Sequence, residues 1–91
     1  MLFRITLHSG SRAPEDALEQ LWERLGPRHD EIRFSMSGGV ITAAWGEDAP
    51  VSMERDEREE IGRREVLDTV TEVCERTPGL KSDWFAVGAF R

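Results

Sequence analysis

Ile32-Arg33-Phe34-Ser35-Met36-Ser37-Gly38-Gly39-Val40-Ile41-Thr42-Ala43-Ala44-Trp45 is the stretch on which the fold turns. Apolar residues alternate with polar or small ones on both sides of two glycines, the pattern of two half-buried strands joined by a tight turn. With Gly38-Gly39 as a two-residue loop, Met36 faces Ile41, Phe34 faces Ala43 and Ile32 faces Trp45. All the apolar partners then share one side of the hairpin. Arg33, Ser35, Ser37, Val40, Thr42 and Ala44 take the other side.

Outward from the hairpin, the chain offers one element of each kind on either flank. Met1 to His8 alternates at period two, with Phe3, Ile5 and Leu7 opposed to Arg4, Thr6 and His8, and so reads as a strand rather than a signal peptide. After the loop Ser9-Gly10-Ser11-Arg12, Pro14, Glu15 and Asp16 suit a helix start, and Ala17, Leu18, Leu21, Trp22 and Leu25 recur at helical spacing until Gly26-Pro27. A second stripe, Val66, Leu67, Val70, Val73, Cys74 and Thr77, closes at Pro78-Gly79. Trp84 to Phe90 reads as a last strand, with Phe85 and Val87 favoured for the core. The order strand, helix, strand, strand, helix, strand predicts an α+β, ferredoxin-like βαββαβ sandwich: a four-stranded antiparallel sheet with two helices on one face.

Between hairpin and second stripe, residues 54–65 are charged at ten of twelve positions. Glu54 with Arg58, Glu59 with Arg63 and Glu60 with Arg64 have the acid-before-base i,i+4 spacing that supports a helix. A helix beginning near Glu54 would be about 36 Å long and overhang strands of about 23 Å. Ile61 points away from the Val66, Val70, Val73 stripe, and Gly62 is a candidate break. The pattern alone leaves residues 46–62 open between a loop and a helical extension, and the unusual length of a structureless loop there favours a helix beginning near Glu54.

At 91 residues there is room for one domain. The net charge of −6 and the absence of a basic cluster argue against nucleic acid. No apolar run approaches the roughly 20 residues that span a bilayer, so a cytoplasmic protein without a membrane partner is expected. Cys74, the sole cysteine, sits on a helical apolar stripe and is expected to be buried and inert. Arginine outnumbers lysine eleven to one and asparagine and tyrosine are absent, a bias typical of GC-rich bacterial genomes.

Candidate chemistry follows from the expected topology, in which the first and third strands are read as parallel central neighbours. That reading gathers His8, His29, Asp30, Trp45, Glu47 and Asp83 on one rim, opposite the glycine turn. Imidazoles and carboxylates together suit a transition metal or a His-carboxylate proton relay. No HxH, HxxxH or HExxH spacing is present, and a solvated rim is the preferred reading. No cofactor is implied. The Ser9-Gly10-Ser11-Arg12 loop lacks phosphate-loop spacing and reads as an ordinary strand-to-helix turn, with Ser11 as a candidate cap.

Arg4, Thr6, Arg33, Ser35, Val40 and Thr42 form a candidate interaction surface on the open sheet face, with Ile61 as a separate contact. This points to a small acidic, non-catalytic interaction or regulatory module that binds a protein partner or itself, with an antitoxin- or immunity-type protein as one variant. In length and element order the chain is also similar to the dimeric α+β barrels of antibiotic-biosynthesis monooxygenase-like proteins. That resemblance implies a homodimer joined sheet to sheet, and a small enzyme or ligand-binding protein with a pocket near His8, Trp45 and Trp84.

Overall fold

The computed structural model describes residues 1–26, 28–29, 32–46 and 54–89. The elements follow as β1 (Leu2–Leu7), α1 (Ala17–Leu25), β2 (Arg28–His29), β3 (Ile32–Ser37), β4 (Val40–Ala44), α2 (Arg55–Glu75), a 3₁₀ turn (Ser82–Trp84) and β5 (Phe85–Ala89). They build an open sheet in the order β2-β3-β4-β1-β5, in which every pairing is antiparallel. Four strands carry the sheet, and β2 adds a two-residue edge.

The hairpin has the expected register. Met36 opposes Ile41 and Phe34 opposes Ala43, around a turn whose glycines adopt φ of 59° and 76°. Both angles lie in the left-handed region, which glycine adopts without steric penalty.

The same side of the sheet continues through Phe3, opposite Ala43, and Ile5, opposite Ile41 and Val87, to Leu7 opposite Phe85. Phe3, Ile5 and Ile41 are fully buried, and Phe85 is nearly so. They form one cluster with Leu18, Leu21 and Leu25 of α1 and Val66, Val70, Val73 and Cys74 of α2, so both helices lie on one face. Phe85 and Val87 thus point inward, as the pattern favoured. Leu80, in the turn after α2, joins the core without any periodic signal. Leu67 is only half-buried and stands at the side of the stripe.

The helical extension is real: α2 runs unbroken from Arg55, with Glu54 at its N-cap, for 21 residues. That is about 32 Å of helix against about 20 Å for a six-residue strand, in a molecule measuring 41 × 25 × 24 Å. Gly62 is no break. A Cβ placed there would stand 2.6 Å from Trp45 Cε3 and 2.7 Å from Phe3 Cζ, so glycine lets the helix rest on these rings. Of the expected acid-base pairs, Glu60 with Arg64 forms at 3.6 Å, but Glu60 also takes Arg63 at 2.9 Å. Arg58 turns to the hairpin's end, where Nη2 donates to the Gly46 carbonyl at 3.2 Å.

One expectation is corrected. The first strand and the second arm of the hairpin are central neighbours, but they run antiparallel: Leu2 opposes Ala44 and Ile5 opposes Ile41. The strand parallel to β1 is β3, with β4 between them. The helix crossover returns the chain in β1's direction, and the hairpin then reverses it.

Candidate functional site

This reversal divides the expected rim. His8 follows β1 at the glycine-turn end, exposed, with its backbone N–H donating to the Trp84 carbonyl at 2.8 Å. Asp83 is exposed in the adjoining 3₁₀ turn. Trp45 lies at the opposite end, where its N–H donates to the Met1 carbonyl and its carbonyl accepts from the Met1 amino group. The pocket expected among His8, Trp45 and Trp84 is therefore not formed: His8 and Trp84 adjoin, and Trp45 sits a strand length away. His29 contributes backbone to β2, opposite Ile32, at the Trp45 end. Asp30 and Glu47 lie outside the described residues. Among the described residues no group of three His, Cys, Asp or Glu side chains is arranged to hold a metal ion.

Around His8 the loop makes an ordinary turn, in which the Ser11 N–H donates to the His8 carbonyl at 3.1 Å. Ser11 does not cap α1, which begins at Ala17 with Asp16 at its N-cap. Trp84 meets Phe85 edge to face, with ring centroids 6.5 Å apart, and so packs at the core margin.

What the structure does assemble is the open face of the sheet. Ser35 opposes Thr42, Thr42 opposes Arg4, and Arg4 opposes Gly88, giving one continuous row across four strands. A second row runs Arg33, Ala44, Leu2. Thr6, opposite Ala86, and Val40, opposite Ser37, extend the face toward the glycine turn. Every open-face residue of the candidate surface therefore stands on one side of the sheet. Sequence reasoning missed Leu2, whose parity with Arg4 puts it on this face, 45% exposed. The face carries arginines and no carboxylate among its described residues, although the chain as a whole is acidic.

Ile61 is set apart from this face. It is 40% exposed on the overhanging turns of α2, where an open depression of about 350 Å³ is lined by Asp56, Glu57, Glu60 and Ile61. Arg58 Nε is buried and has no hydrogen-bond partner among the described residues. Cys74 is buried, and burial pushes its thiol above the ordinary value, leaving it a poor nucleophile.

No helix of the described chain is long and apolar enough to cross a membrane. Comparison with models of protein families, with curated proteins and with solved structures gave no match in any of the three.

Proposed function

We propose that this chain is a non-catalytic protein-interaction module that docks through the open face of its sheet. The observation that carries the reading is the position of Leu2: a large apolar side chain, 45% exposed, in register with Ala44 on a face that neither helix covers. Threonine, valine and alanine continue the face, a composition suited to close packing against another surface and poor in groups for acid-base or metal chemistry. A basic partner, as an antitoxin-like role would require, fits the acidic turns of α2 better than the sheet.

We further take the fold to be the ferredoxin-like split βαβ arrangement. The support is that α1 links β1 to β3 around β4, while α2 links β4 to β5 around β1.

A photo-crosslinking residue tests the function directly. Placed at position 42, in the middle of the open face, it is expected to capture a discrete protein species in cells of origin. At Glu23, exposed on α1, it should capture none. Equal adducts at both positions, or none at position 42, overturn the reading.

A further inference from the structure

We infer that the β5 edge is a self-pairing site, where two copies of the chain join their sheets through β5 in antiparallel register about Val87. The inference concerns the sheet's edge and stands apart from the function proposed for its face.

The direction of β5's backbone groups follows from hydrogen bonds at the two ends of β1. Met1 and Trp45 exchange both backbone bonds, at 2.8 and 2.9 Å, so odd-numbered residues of β1 turn their backbone to β4. The His8 N–H reaches the Trp84 carbonyl at 2.8 Å, so even-numbered residues turn theirs to β5. Both observations give the same phase. Ala86, opposite Thr6, and Gly88, opposite Arg4, therefore spend their N–H and C=O groups on β1. Phe85, Val87 and Ala89 present theirs outward.

The Phe85 N–H is taken by the Ser82 carbonyl. Among the described residues no strand pairs with the outer side of β5, and the N–H groups of Val87 and Ala89 and the carbonyls of Phe85 and Val87 are aimed along the sheet's edge.

Edge strands are ordinarily protected by charge, proline or brevity. The other edge has such protection: β2 is two residues long, and its sequence neighbours Asp30 and Glu31 are charged. Phe85-Ala86-Val87-Gly88-Ala89 has neither charge nor proline. Two acidic chains can thus approach here without opposing carboxylates on the strand itself.

The side-chain pattern suits a second copy in particular. A two-fold axis through Val87 sets Phe85 against the partner's Ala89, large on small, and Ala86 against the partner's Gly88, small on small. Val87, half-buried in the single chain, meets its own counterpart, a favourable β-branched pair. Phe85, Val87 and Ala89 all lie on the core side, so the apolar layer continues across the junction. Val87 exchanges both backbone bonds with its counterpart. Ala89 donates to the partner's Phe85 carbonyl, and the partner's Ala89 donates in return.

So short an interface falls at the small end of the range, and association is expected at roughly 10 µM to 1 mM. Sedimentation velocity across that range should show a monomer passing to a dimer. Amide exchange followed by NMR should show Val87 and Ala89 becoming protected as concentration rises, while Ala86 and Gly88 are protected throughout.

Val87→Pro removes two interchain donors per dimer and should weaken association by about 25-fold, a factor of roughly five per bond. Proline is tolerated where an edge N–H faces outward. Gly88→Lys is a second variant whose side chain has room to leave the sheet, since a Cβ at 88 meets nothing within 4 Å, and it should weaken association by bringing like charges together. Thr42→Arg, on the open face, should leave this dimer intact. A chain that stays monomeric to 1 mM, or a dimer equally strong in Val87→Pro and Gly88→Lys, overturns the inference.

Discussion

Gly62 and Trp45 are fitted to each other: the indole Cε3 occupies the space where a side chain at 62 would begin, 2.6 Å from an ideal Cβ. The contact joins the middle of α2 to the residue that ends the hairpin, and Phe3 of the central strand closes it from below.

In an exposed helix interior, exchanging glycine for alanine is worth about 1 kcal/mol of stability. At position 62 the sign reverses. Gly62→Ala is expected to destabilise the protein by about 1–3 kcal/mol through overpacking, measured by urea denaturation. Adding Trp45→Leu should recover part of that loss.

The turn of the hairpin gives a backbone counterpart. Gly39→Val places a β-branched residue at φ of 76° and should cost at least about 1–2 kcal/mol, although nothing lies within 4 Å of the Cβ position. Gly38→Asn, at φ of 59°, should cost clearly less, because asparagine tolerates the left-handed region.

Ile61 and Val70 separate the two sides of α2. Ile61→Ser should change stability by less than about 0.5 kcal/mol, as the side chain is 40% exposed. Val70→Ala, at a fully buried site, should cost about 2 kcal/mol. Comparable losses at both sites would mean that Ile61 is held by the fold.

Cys74 ties stability to pH. Burial raises its thiol, so the unfolded chain ionises first and the folded state retains the proton. The stabilisation is fully present below the ordinary thiol value, roughly pH 8.5, and is lost as the pH rises through the folded-state value. Cys74→Ala should flatten that alkaline decline, as seen in melting temperatures between pH 7 and 10. Below the transition, a thiol-specific reagent should label the folded wild type far more slowly than the unfolded chain.

The hairpin, both helices and the inward side of β5 were legible because each rests on a local rule: two glycines for positive φ, apolar spacing for the helical stripes, alternation for the strands. The position of His8 was not legible in the same way. It depends on whether β1 runs with or against β4, and assigning the parallel relation to that pair instead of to β1 and β3 moved His8 to the wrong end. Gly62 misled for a related reason. Read along the chain it is a weak helix former, while its cause lies in Phe3 and Trp45, far away in sequence. The open face was readable as a set of alternating residues, yet Leu2 escaped because an apolar residue at a strand's start looks like core until its parity is counted.

Leu7 stands opposite Phe85, and the central strand is completed only by that partner. β1 precedes β5 in the chain, so during synthesis one side of β1 has no strand to pair with until β5 has been made. Closing so long a stretch of chain has an entropic cost and slows this pairing. Until then the even-numbered backbone groups of β1 form an unpaired strand edge, the kind of surface through which partly folded chains aggregate.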